Sequence, residues 1–163
     1  MLQPLVRRTW APRGETPVHR SWDRHDRLSV ITALTVSPSR RRVDMFFMIL
    51  PTNVCAEHMV GFIRALRREV PKKLLLVWDR LGVHRSAAKT LQRHADLAIE
   101  WLPPYAPDLN PVEQVWNHSK HSTLANYIPD DIFDLENAVI ASLTLQDDEQ
   151  QLRRYFQHAK LFL

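Results

Sequence analysis

A chain of 163 residues, 45% hydrophobic and 25% charged, has the composition of a soluble globular protein and room for one domain with its own core. Its single cysteine, Cys55, excludes an internal disulfide framework and a cysteine-rich zinc site, and no apolar run reaches the length of a bilayer span. The formal charge is +4, but nine arginines stand in residues 1–42 against three acids, whereas residues 130–150 carry seven acids and no lysine or arginine. Arginine-rich surface of this kind suits a polyanion, because the guanidinium fork grips phosphate oxygens in pairs. A solvated basic face with no partner is the alternative. Arg7 and Arg8 precede no long apolar run, so nothing here reads as a signal peptide, and the expected location is cytoplasmic with no membrane partner.

In chain order, residues 9–14 (TWAPRG) predict a strand end and a turn. Residues 28–36 (LSVITALTV) and 43–50 (VDMFFMIL), separated by Ser37-Pro38-Ser39-Arg40, predict an antiparallel strand pair. Met59, Ile63, Leu66 and Val70 then recur at helical spacing, with Asn53 as the expected N-cap, Glu57 near the start and Pro71 as the stop. The apolar run at 74–78 (LLLVW) reads as a central strand buried on both faces, and 97–101 (LAIEW) as another short strand. Between them, residues 84–94 read as a helix. Asn110 caps a further helix opening at Pro111, a residue suited to the first helical position. Asp130 and Asp147 are the expected caps of two C-terminal helices. The whole is one unit, residues 1–163, of α/β class with a mixed sheet flanked by helices.

Two carboxylates stand out. Asp79 ends the apolar run, at the strand end where open α/β sheets place ligands; a turn or helix-cap role is the plainer reading. Glu113 lies three residues after Asn110, the capping-box position, which also has a plain reading. That reading leaves unexplained the rigid approach Leu102-Pro103-Pro104-Tyr105-Ala106-Pro107-Asp108-Leu109-Asn110-Pro111, whose prolines fix the path of the chain toward Glu113.

Trp78-Asp79, His84 five residues beyond Asp79, the segment from Leu102 to Trp116 and Lys120 together resemble the catalytic core of mariner-type bacterial insertion-sequence transposases, members of the DDE endonuclease superfamily. The 33 residues between Asp79 and Glu113 fit that pattern, and the likeness runs over residues 6–140. It implies a ribonuclease-H-like fold in which three carboxylates hold Mg²⁺ (or Mn²⁺) against DNA. Asp79 and Glu113 correspond to the second and third of these. His84 and Asn110 take supporting places, and Arg7, Arg8, Arg13 and Lys120 become candidate contacts to nucleic acid. Terminal-repeat and target DNA are the implied partners, in a nucleoid-associated setting, with a homo-oligomer or a mixed oligomer with full-length transposase as further possibilities.

The pattern breaks at its start. In the family the first catalytic aspartate lies on an opening strand just before the segment that here reads Arg7 to Gly14, and no acid precedes Glu15. Asp23, Asp26 and Asp44 read as turn or surface residues, poor substitutes. The expectation is therefore an N-terminally truncated catalytic domain, lacking the first strand and inactive alone. The alternative is a non-enzymatic nucleic-acid-binding or regulatory remnant.

Overall fold

Strand-forming residues on either side of Ser37-Pro38-Ser39-Arg40 close into the expected hairpin. In the computed structural model, which describes residues 8, 10–15, 28–70 and 73–161, β1 (Ser29–Val36) pairs antiparallel with β2 (Val43–Leu50), from Ser29 opposite Leu50 to Val36 opposite Val43. The turn is closed by the Arg40 amide donating to the Ser37 carbonyl at 2.8 Å. Upstream, the Glu15 amide donates to the Pro12 carbonyl at 3.0 Å, giving the turn expected around Arg13-Gly14. Arg7, Asp23 and Asp26 lie outside the described residues.

Side-chain alternation sends the hairpin's two faces into two cores. Ile31, Ala33, Phe46 and Met48 pack toward α1 (Ala56–Glu69), whereas Val30, Leu34, Val43 and Met45 pack toward the C-terminal helices. α1 buries Met59, Phe62, Ile63 and Leu66, which recur at helical spacing along one stripe. Its N-cap is Cys55, not Asn53: the Cys55 amide donates to His58 Nδ1 at 3.3 Å, so histidine fills the place that the sequence patterns reserve for Glu or Gln.

β3 (Leu74–Trp78), α2 (Gly82–Leu91) and β4 (Leu97–Trp101) form a parallel β-α-β unit, with Leu74 opposite Leu97 and Trp78 opposite Trp101. Two expectations change here. β3 is not buried on both faces, since Leu75 and Val77 are 59% and 52% exposed. Buried Leu76 and Trp78 share a core with α1 and α2 on one side of the strand only. Nor do the strands join into one mixed sheet: among the described residues there are two two-stranded sheets, β1-β2 and β3-β4. They are held together by the common core, in which Ile31 of β1 clusters with Leu76 and Trp78 of β3.

The C-terminal third packs α3 (Pro111–His118), a π turn at Ser119–Thr123, α4 (Ile132–Gln146) and α5 (Glu149–His158) against the other face of the hairpin. The caps of α4 and α5 are Asp131 and Asp148, each one residue beyond the expected Asp130 and Asp147. Their carboxylates accept the amides of Asp134 at 2.8 Å and Gln151 at 3.0 Å. Each helix is preceded by two adjacent aspartates, and the sequence pattern does not choose between them. No helix among the described residues is long and apolar enough to cross a membrane.

Candidate active site

Strand β3 delivers Asp79 from a fixed base, because Trp78 before it is only 8% exposed. The Asp79 Oδ1 atom accepts the Leu81 amide at 2.9 Å, so the plain turn-forming role is real. The same oxygen lies 2.5 Å from His84 Nδ1. The imidazole lies flat on the Trp78 indole, with ring centroids 4.8 Å apart and planes at 10°. One residue thus holds the face of His84 and the next holds its edge. Five-residue spacing achieves this because the chain turns through Arg80 and Leu81 before α2 begins at Gly82.

The second carboxylate arrives along the proline-rich loop. The Leu102 amide donates to the Trp78 carbonyl at 2.7 Å, and Arg80 Nε donates to the Leu102 carbonyl at 3.2 Å. These two bonds fasten the loop's first residue beside Asp79. A 3-10 turn at Pro107–Leu109 then leads to Asn110, whose side chain accepts the Val112 amide at 3.2 Å and caps α3 as expected.

The capping-box reading of Glu113 does not hold. A capping box would turn its carboxylate back onto the Asn110 amide, but that amide already donates to the Pro107 carbonyl at 2.9 Å. Among the described residues the Glu113 carboxylate takes no hydrogen bond, and the side chain is half-buried in the first turn of α3.

Asp79 and Glu113 line one open cleft of about 180 Å³, together with Arg80, Asn110 and the loop from Leu102 to Pro107. It therefore holds two carboxylates, a side-chain amide and one guanidinium. His84 reaches it through Asp79. Lys120 sits in the π turn beyond α3, and Arg8 and Arg13 lie in an exposed segment; none of the three lines the cleft. Asp44 does not enter it either, being paired with Arg42 at 2.9 Å on β2. Two lining residues escaped sequence reasoning, Arg80 and Tyr105. Arg80 follows Asp79 directly, the one signal available for it. Tyr105 was legible only as part of the proline-rich run.

The described residues contain no ready group of three or more His, Cys, Asp or Glu side chains that could hold a metal ion. Hard oxygen donors nevertheless match the divalent ion that the resemblance implies. Mg²⁺ is ordinarily held by one or two carboxylates with waters and substrate phosphate completing its shell. Asp79 and Glu113 can supply the two carboxylates.

Residues 1–135 match a family model described as DDE superfamily endonuclease. A curated protein of Sinorhizobium fredii (strain NBRC 101917 / NGR234), uncharacterized protein y4pE/y4sA, is 30% identical over 91 residues, covering 54% of this chain and 64% of its own length. Among solved structures, a chain of the Mos1 strand transfer complex superposes with a TM-score of 0.60 at 14% identity, over 98% of this chain and 48% of its own. At that identity the likeness is one of fold, and it establishes the α/β, ribonuclease-H-like class. This chain thus spans about two-thirds of the first protein's length and about half of the second's.

Proposed function

The chain belongs to the DDE superfamily of endonucleases, and from that premise we propose that it carries the catalytic-domain fold and site of a mariner-type DNA transposase. The reaction served is metal-dependent cleavage and transfer of phosphodiester strands at element ends. One observation carries this reading: Asp79 and Glu113 line the same cleft, and Glu113 is released from the cap that would otherwise explain it.

In this proposal Asp79 and Glu113 bind Mg²⁺ (or Mn²⁺) through their free oxygens. Both contacts to Asp79 fall on Oδ1, which leaves Oδ2 for a cation. His84 orients Asp79, and Arg80 neutralises an incoming phosphate at the cleft wall. Asn110 fixes the start of α3 and with it the direction of Glu113. A divalent ion held there by Asp79 and Glu113 would supply charge stabilisation and activation of the attacking oxygen. DNA approaches over the basic N-terminal segment, where Arg8 and Arg13 are exposed, with Arg7 and Lys120 as further phosphate contacts.

Among the described residues two carboxylates line the cleft; two fix a metal less firmly than three, and in-line displacement depends on fixed geometry. The isolated chain is therefore expected to bind DNA and metal together without cleaving. The test is thermal melting with Mg²⁺ or Mn²⁺, with and without terminal-repeat duplex, alongside a nicking assay. A site filled at 100 times its dissociation constant stabilises by about 2.7 kcal/mol, a shift that Asp79→Asn and Glu113→Gln should each abolish. A metal response as large in both variants as in the wild type would remove the site. Mg²⁺-dependent nicking by the wild-type chain that is lost in Asp79→Asn would confirm the site and refute the inactivity.

A further inference from the structure

Helix α4 is apolar on both sides. Its inner face buries Val139, Ser142 and Leu143. Its outer face carries Phe133, Asn137, Ile140, Ala141, Thr144 and Leu145, all exposed and all uncharged. Phe133 and Leu145 leave 70% and 73% of their surface open. A single exposed apolar residue is ordinary, but a helix apolar all round is one that is normally covered on both sides. From Phe133 to Leu145 the stripe runs roughly 18 Å at 1.5 Å per residue, enough for three turns of a partner helix. None of these residues lines the cleft.

The rim of this face is acidic. Asp130, Asp131 and Asp134 lie at its N-terminal end, Asp147 and Asp148 at its C-terminal end and Glu136 on its flank, and residues 130–150 contain no Lys or Arg. Glu149, the remaining acid, pairs with Arg153. A second copy of α4 laid on the first would oppose aspartates to aspartates whichever way it ran, and like charges set against each other disfavour an interface. A helix of the opposite charge meets no such penalty. We propose that the outer face of α4 docks a basic amphipathic helix of another polypeptide. The partner's apolar stripe packs on Phe133, Ile140 and Leu145, ridges into grooves, while its Lys and Arg side chains meet the acids at both ends.

The experiment measures fluorescence anisotropy of three labelled 18-residue peptides with the whole chain, across a salt series. The first carries leucines at helical spacing flanked by Lys and Arg. The second has the same leucines flanked by Glu, and the third is a scramble of the first. The first is expected to bind at least about tenfold more tightly than either control, and to weaken as salt rises. Phe133→Ser and Leu145→Ser should each weaken it about tenfold, the effect of leaving one large apolar side chain uncovered. Both side chains face outward, so melting temperatures should stay within about 3 °C of the wild type. Glu136→Lys leaves the apolar stripe intact and should weaken the basic peptide severalfold while tightening the Glu peptide, which keeps the test decisive if a serine variant fails to fold. Equal binding of the basic peptide and its scramble, or serine variants that bind like the wild type, would overturn the proposal. So would light scattering that shows a wild-type dimer dissociated by Phe133→Ser or Leu145→Ser, because a second copy would then occupy the face.

Discussion

Behind the cleft, the end of α3 is tied down by a buried polar chain, and cutting it should be costly. Gln146 on α4 is fully buried. Its Nε2 donates to Ser119 Oγ at 2.8 Å and to the Ser142 carbonyl at 3.0 Å, and its Oε1 accepts the Tyr155 hydroxyl at 2.7 Å. Tyr155 also lies 2.7 Å from His118 Nδ1, and Ser142 donates to Ser119 at 2.9 Å. His118 ends α3 and Ser119 opens the π turn, so one glutamine links α4 and α5 to the helix that carries Glu113.

Gln146→Leu keeps most of the volume and removes these three hydrogen bonds, each worth about 1 kcal/mol net, together with a long fourth from Nε2 to Ser142 Oγ at 3.5 Å. Burial of the apolar leucine returns part of this, since about 25 cal/mol per Å² accompanies apolar burial. Ser119 and Tyr155 each keep one other partner, which limits the penalty for unsatisfied groups. The expected loss is about 2 kcal/mol, or roughly 4–8 °C in melting temperature for a chain of this size. Circular dichroism melts and urea midpoints measure it. Tyr155→Phe combined with Gln146→Leu should cost about 1 kcal/mol less than the sum of the two single changes, because both delete one shared bond. Strict additivity, or a Gln146→Leu variant melting with the wild type, would refute the reasoning.

Two further outcomes follow from local geometry. Asn110→Ala removes the side-chain acceptor for the Val112 amide and should cost about 1 kcal/mol in urea unfolding, with Asn110→Asp retaining the cap. Tyr127 is pushed up to about 12, first by its hydrogen bond to Asp134 and then by burial. A raised tyrosine favours the folded state below its unfolded value and loses that contribution as pH rises through the folded one. Urea stability should therefore fall from about pH 10 to 12, less steeply in Tyr127→Phe; equal slopes would remove Tyr127 as the cause.

Where a signal is local and periodic, the sequence was sufficient. The hairpin, α1, the β3-α2-β4 unit and the Asn110-Pro111 helix start follow from alternation, helical spacing and turn chemistry. The errors have physical causes. An apolar pentapeptide cannot say whether both of its faces are covered, because that depends on helices packed from elsewhere; Leu75 and Val77 show one face open. Adjacent aspartates at 130–131 and 147–148 offer two equally good caps, and the hydrogen bonds select the second. The π turn after α3 is set by tertiary bonds from Ser119 to α4 and left no local mark.

The site itself was legible as residue types but not as an arrangement. Sequence alone gave each carboxylate a dull explanation, a turn for Asp79 and a capping box for Glu113, and the two explanations fared differently. Asp79 does accept the Leu81 amide, yet on the same oxygen that meets His84, so its structural role leaves its second oxygen free. Glu113 loses its dull explanation altogether, because the 3-10 turn at Pro107–Leu109 satisfies the Asn110 amide first. The proline-rich approach therefore does more than aim a helix. By closing that turn it relieves Glu113 of a capping duty and leaves its carboxylate lining the same cleft as Asp79.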